Sequence, residues 1–385
     1  MPSSDFIAKT VLKNVAPTFT FHHNSIDCTS LLIGIDPIYR DASLNAGACT
    51  VRLRNNTGYW DDFYDDHTAL YKSAIVGLEF AGLAENVNLF KGYVESARLI
   101  GDHTCILTIR DRISRCLEKE IGGGETDVYY NLYVEDEYTV SEIVWDILTT
   151  YAGLDDTESS GNNDINYTHY ENWATIVDAD YELGCRFIGH TVRHALDRIM
   201  NMTNSIFWVN ANGKIDFVNH RSYLTAPGPA IEEYTKAMIF NDTREYNVTL
   251  EGRINTITCK YDMQGRQARS HFRELVGETS DQIIYGPSDY DEELIEEDNT
   301  VWHETESSAD NWMDAATGLL SRVGPPIRTF TFQTGLSGFI QDIGNEIILR
   351  DHFADPMDEI ELAIINLILD PDRCVSTITG NWLWL

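Results

Sequence analysis

Short stretches in which apolar and polar residues alternate dominate the first third of the chain. In Thr50–Val51–Arg52–Leu53–Arg54 every second side chain is apolar, the pattern of a strand with one wet face. Leu31 to Ile35, Phe90 to Leu99 and Thr104 to Arg110 are further short strand-like runs, with Gly, Asn and Asp clusters between them. Asn55, Asn56 and Gly58 supply turn chemistry directly after Arg54. Several short strands at this spacing predict a small barrel or sandwich over 1–118.

The period then changes. Thr139 and Glu142 have capping-box spacing, and Val140, Ile143, Val144, Ile147, Leu148 and Tyr151 follow at helical intervals until Gly153. A second helix is predicted at about 191–201, with Val192, Ala195, Leu196, Ile199 and Met200 on one face. It leads into a hairpin: Phe207–Trp208–Val209, the turn Asn210–Ala211–Asn212–Gly213, then Ile215–Asp216–Phe217–Val218. The polar stretch 155–168 reads as a loop, and 119–240 as an α+β unit.

Beyond it, Ile254 to Tyr261, Arg328 to Thr334, Glu346 to Arg350, Ile360 to Leu369 and Cys374 to Thr379 are strand-like, with Asp370–Pro371–Asp372 as a turn. The 360s run is apolar on both faces and predicts cover on both sides. A third helix is predicted from Ser307 to Val323, halted by Gly324–Pro325–Pro326. The expected fold class is α+β, mainly β. Two small β-barrel domains (1–118; 241–270 with 325–385) flank the α+β domain at 119–240, and an acidic loop and helix (271–324) are inserted in the second barrel.

Composition narrows the function classes. At 385 residues the chain is long enough for several domains, and 43 % hydrophobic residues suit packed cores throughout. No run approaches the ~20 apolar residues that span a bilayer, so no membrane-spanning segment is expected. The start, MPSSDFIAKT, lacks the features of a secretory signal, and folding in a cytoplasm is expected. Seven cysteines without a C-x-x-C pair read as buried or half-buried reduced thiols. The net charge of −33 disfavours binding nucleic acid through its phosphates. Eight Lys against twenty Arg fits either a protein adapted to high salt or an acidic one from an ordinary habitat.

Motifs for chemistry are thin. Gly122–Gly123–Gly124 lacks the Lys and Ser/Thr of a phosphate loop, and no G-x-G-x-x-G, H-E-x-x-H or G-x-S-x-G occurs. His303–Glu304 has no second helical His, and His22–His23 would point to opposite faces of a strand. Asp61, Asp62, Asp65 and Asp66 bracket Phe63 and Tyr64, a pattern that could serve Ca²⁺ or a glycosidase. They lack the spacing of a calcium ladder and read as a chance cluster in an acidic chain. The run at 289–298 reads as a solvated loop. No catalytic, cofactor-binding or metal site is therefore expected, and no enzyme.

The order of elements carries more. Phe90–Lys91–Gly92–Tyr93–Val94–Glu95–Ser96, followed by Leu107–Thr108–Ile109–Arg110–Asp111–Arg112–Ile113, resembles the close of the first barrel in the tail and baseplate hub proteins of tailed viruses. The helix TVSEIVWDILTTYAGL and the helix–hairpin ALDRIMNMTNSIFWVNANGKIDFV resemble that family's next elements. Asp342–Ile343–Gly344–Asn345–Glu346–Ile347–Ile348–Leu349 resembles a strand of its second barrel.

The resemblance implies a structural virion protein of the tail tip or baseplate, assembled in the host cytoplasm. It implies a homotrimer whose six barrels form a pseudo-sixfold ring, adapting a six-fold tail tube to a three-fold tip. Implied partners are the tail tube or distal tail ring, tip, spike or fibre proteins, and a tape measure protein, with DNA only passing through the lumen. No sequence repeat is visible between the two β regions. The competing readings are the spike base of a contractile secretion machine and a carbohydrate-binding or glycosidase β protein.

Overall fold

The computed structural model describes residues 2–12, 15–45, 47–55, 60, 70–101, 103–124, 128–130, 138–154, 164–181, 183–187, 189–219, 233–240, 243–249, 256–258, 261–263, 274–276, 289–290, 301–304, 327–350 and 360–382. The chain opens with helix α1 (Ser4–Val11), capped by the Ser3 hydroxyl, which accepts from the Phe6 N–H. Strands β1 (Pro17–His23), β2 (Ile26–Asp27), β3 (Leu32–Ile35), β4 (Ile38–Asp41), β5 (Ala48–Arg54), β6 (Ser73–Phe80), β7 (Asn86–Ile100) and β8 (Thr104–Arg110) follow. Seven of them form a sheet in the order β2-β1-β6-β7-β8-β5-β3. Alternation places Cys49, Val51 and Leu53 of β5 inside, beside Cys105, Leu107 and Ile109 of β8.

The middle unit begins at α2 (Arg112–Leu117), capped by Asp111, and strand β9 (Val128–Tyr130). Helix α3 (Val140–Asp146) has the expected capping box of Thr139 and Glu142, and continues as one π-helical turn over Ile147–Tyr151. Helix α4 (Tyr167–Asp180) lies where only a loop up to 168 was expected. Strand β10 (Leu183–Phe187), helix α5 (Val192–Met202) and the hairpin β11 (Ser205–Val209) and β12 (Ile215–Asn219) complete it. Trp173, Phe207, Phe217, Ile143 and Leu196 belong to its core.

Strands β13 (Glu233–Tyr234), β14 (Glu245–Thr249), β15 (Thr256–Thr258), β16 (Tyr261–Met263), β17 (Glu274–Val276), β18 (Asp289–Tyr290) and β19 (Val301–Glu304) come next. Of these, β16 and β19 extend the β9–β10 sheet of the middle unit, while β15, β17 and β18 form a small sheet. The helix expected over Ser307–Val323 lies outside the described residues. Strands β20 (Ile327–Thr334), β21 (Glu346–Leu349), β22 (Ile360–Asp370) and β23 (Val375–Trp382) then build a second sheet, β13-β21-β22-β23-β20-β14. Strand β4 leaves the first sheet's neighbourhood to pair with β22 in this one. Neither sheet closes on itself among the described residues, so the two expected barrels are two open sheets there. Buried residues of both, including Val51, Leu107, Phe332 and Leu367, belong to one core.

The two sheets repeat one plan. The order β3-β5-β8-β7-β6 in the first matches β14-β20-β23-β22-β21 in the second, antiparallel at every step. The correspondence holds residue by residue. Adding 270 to β7 numbers and 271 to β8 numbers converts Ser96↔Thr108 into Asn366↔Thr379, and Ala97↔Leu107 into Leu367↔Ile378. Each hairpin carries a bulge at the same place, at Glu95 in β7 and Ile365 in β22. Before each bulge the chain makes the same left-handed turn. Tyr71 (φ 62°) donates to the Val94 carbonyl, and Gly344 (φ 79°) to the Ile364 carbonyl.

Candidate functional site

A polar cavity of about 420 Å³ opens where the middle unit meets the two sheets. Strand β4 brings Arg40, α4 brings Asn166 at its N-cap and His169, the hairpin brings Asn210 and Asp216, and the loop before β21 brings Asp342. The hairpin turn is built as its sequence predicts. The Asn210 side-chain oxygen accepts from the Asn212 and Lys214 N–H groups (2.9 and 3.2 Å), and Gly213 takes φ 69°.

That turn aims the other end of Asn210 at Asp216. Its amide donates to one Asp216 oxygen at 2.7 Å, while Asn166 donates to the other. His169 Nδ1 also stands 2.7 Å from that second oxygen. Burial alone would lower the His169 imidazole, but the hydrogen bond to Asp216 and the charges of Asp216 and Asp342 outweigh it and raise it. Arg40 is 5 % exposed, lies 3.5 Å from Asp342 and also donates to the Leu89 carbonyl of β7. Burial lowers the Arg40 guanidinium and raises the Asp342 carboxyl, and their mutual attraction opposes both shifts. The Ile343 N–H donates to Asp342 at 2.9 Å, and Asp342 donates its own N–H to Asn345.

Chemically, both carboxylates serve as acceptors for donors already in place. Asp216 takes three, and Asp342 takes a guanidinium and the Ile343 amide. With the backbone hydrogen bond that Ala211 of the hairpin turn donates to Asp342, the arrangement ties five separate segments together. Among the described residues, no serine, threonine or cysteine lines the cavity as a partner for His169. The geometry is that of a structural clamp between the middle unit and the two sheets.

The residues weighed from sequence lie elsewhere. His22 and His23 sit on β1, paired to Ile75 and Ala74, and His23 is buried edge-on against Trp60 with ring centroids 5.5 Å apart. The 3₁₀ turn Ile121–Gly124 holds the three glycines. Asp61, Asp62, Asp65 and Asp66 lie outside the described residues, as does 291–298, while Asp289–Tyr290 form β18. Sequence reasoning did not single out Arg40, His169, Asp216 or Asp342. Asp216 lies in the predicted hairpin, but its burial, at 3 % exposed, is visible only in the fold. Of the cysteines among the described residues, Cys28, Cys49, Cys105, Cys116 and Cys185 are buried and Cys374 is half-buried. Burial first, with the charge of Asp36 adding, pushes the Cys49 thiol up to about 12, which keeps it protonated and inert. No helix among the described residues is long and apolar enough to cross a membrane.

No family model matches the sequence, and no curated protein matches it significantly. Solved structures do match in fold. A 43 kDa tail protein of prophage MuSo2 from Shewanella oneidensis aligns over 95 % of this chain and 97 % of its own, at 12 % identity and a TM-score of 0.53. The tail protein from Neisseria meningitidis MC58 aligns over 95 % and 96 %, at 12 % identity and 0.50. The prophage tail protein gp18 from Listeria monocytogenes EGD-e aligns over 94 % of each chain, at 10 % identity and 0.50. Along nearly its whole length, this chain has the fold of phage tail proteins.

Proposed function

We propose that the chain is a structural subunit of a virus tail, the central hub of the tail tip or baseplate. Three copies form a ring of six sheet units that joins a six-fold tube to a three-fold tip. The observation that carries this reading is the register-matched duplication of the two sheets. A chain holding two copies of one unit presents six in a trimer, so it can meet a six-fold neighbour on one side and a three-fold one on the other. The shared fold with phage tail proteins supports the placement in a virion.

In this reading the hub acts without catalysis, and the two cavity carboxylates serve internal donors. Its partners are the tube or distal tail ring, the tip, spike or fibre proteins and the tape measure protein. With a net charge of −33, a ring lumen lined by acidic residues would let DNA pass without phosphate contacts. Light scattering on the full chain, at low and at multimolar salt, tests the reading. A mass of three times 43.7 kDa, with six-fold features in projection images of the particle, is expected. A stable monomer in both buffers refutes the ring.

A further inference from the structure

The floor and the rim of the polar cavity differ in chemistry. The floor holds the charges, and each is already engaged. Arg40 faces Asp342 and the Leu89 carbonyl, Asp216 takes Asn166, Asn210 and His169, and Glu85 at the side accepts from Ser3. An anion or a cation entering here meets no unmatched opposite charge. No three metal-ligating side chains stand together among the described residues.

The rim is built of asparagines. Asn86 and Asn88 come from β7, Asn172 from α4, Asn212 from the hairpin turn and Asn345 from the loop before β21, so four segments contribute one side-chain type. Turn chemistry accounts for part of this, since the Asn345 oxygen accepts the Asp342 N–H at 2.8 Å. It does not account for the atoms left over. Asn88 donates to Asn212 at 2.9 Å, which engages one end of each amide and leaves the Asn88 oxygen and the Asn212 NH₂ unused. The Asn345 NH₂ is likewise unused, Asn172 has no hydrogen-bond partner among the described residues, and His169 keeps Nε2. Trp208 in the wall is 4 % exposed, and its indole N–H has no acceptor among the described residues.

Neutral donors and acceptors therefore converge on one concavity beside an indole ring. They match a ligand rich in hydroxyls, because each hydroxyl both donates and accepts. An apolar ligand would strand the amides at a cost in desolvation. The volume of about 420 Å³ falls within the roughly 300–1,000 Å³ of small-molecule sites.

We propose that this cavity binds a neutral sugar or sugar alcohol, held at the rim by Asn88, Asn172, Asn212 and Asn345. The ligand is held and not cut, because Asp216 and Asp342 already serve internal donors. The site stands apart from the ring reading, since all of these residues belong to one chain.

Saturation-transfer NMR on the full chain tests it, with glucose, galactose, N-acetylglucosamine, maltose and sorbitol as probes. At least one probe should receive saturation and, on titration, shift the tryptophan emission. Asn172 and Asn212 are exposed, so Asn172→Ala with Asn212→Ala should leave the urea midpoint unchanged. The same double variant should weaken binding roughly tenfold through two lost hydrogen bonds. Inorganic phosphate and Ca²⁺ should leave the emission unchanged. Three results overturn the proposal: no transfer to any probe, equal binding by the double variant, or a shift with phosphate or Ca²⁺ that the double variant abolishes.

Discussion

Where the two hairpins cross their sheets, one copy has a small residue facing a large one and the other copy reverses them. Gly92 pairs beside Ile109 in the first, whereas the equivalent residues in the second are Leu362 and Gly380. A β-carbon on Gly92 would come within 2.8 Å of the Arg110 carbonyl carbon, nearer still to its oxygen, and 3.1 Å from Ile109 Cγ2. The carbonyl cannot swing aside, because Arg110 is held between Tyr93 and Ala48 in the ladder. Relief requires β8 to shift by several tenths of an ångström, at an overpacking cost of about 1–3 kcal/mol. Weakening one ladder hydrogen bond adds roughly 1 kcal/mol. Gly92→Ala should therefore lose about 2–4 kcal/mol, read as a lower urea midpoint with an unchanged m-value by tryptophan fluorescence.

The second copy shows how the same plan accepts a side chain there. Removing the facing bulk, as in Gly92→Ala with Ile109→Gly, should give a double variant more stable than the sum of the two single losses, by about 1 kcal/mol or more. A loss below about 0.5 kcal/mol for Gly92→Ala, or strict additivity in the cycle, refutes the argument that this crossing is limited by one missing β-carbon.

Two further perturbations probe the clamp and the second sheet. Arg40→Ala leaves Asp342 without its guanidinium and the Leu89 carbonyl without its donor, and should cost about 3 kcal/mol in the same denaturation assay. Burial, with the like charge of Glu361 adding, pushes the Glu346 carboxyl up to about 7. Its folded-state value exceeds the ordinary 4.5, so stability associated with the protonated form is present below 4.5 and lost as pH rises through about 7. Glu346→Gln should accordingly stabilise the protein by roughly 1 kcal/mol above that range, after allowance for solvent screening, and change little below 4.5. A gain that does not depend on pH counts against this cause.

Elements with local signals are legible in the sequence. The Thr139–Glu142 box, the face of α5 and the Asn210–Gly213 turn each depend on contacts within a few residues, and each stands where it is expected. Helices α1 and α4 lack so clear a signal. In α4 the buried Tyr170, Trp173 and Val177 have helical spacing, but Asn172, Glu171 and Asp178 crowd between them and blur the apolar stripe. The 360s run, apolar on both faces, predicts cover on both sides. The bulge at Ile365 changes which face is inward, leaving Ile365 and Ile368 half-buried. The duplication is illegible in sequence because it conserves register and not residue type. Gly92 matches Leu362, Tyr71 matches Gly344, and Leu99 with Leu369 is a rare identity across the β7–β22 pair. The clamp is equally hidden, since Arg40 and Asp342 lie far apart in the chain and meet only after both sheets are in place.

The crossing of β4 into the far sheet also sets a schedule for synthesis. Asp41 leaves the ribosome about 325 residues before Asn366, its partner in the finished fold. At roughly 5–20 residues per second that is a wait of about 15–65 s. Throughout it β4 lacks the strand it pairs with in the finished fold. Neighbouring ribosomes on one message would bring several such strands close together. Completion of the C-terminal hairpin is thus the event that silences β4 within its own chain, and a stalled or truncated product stays adhesive.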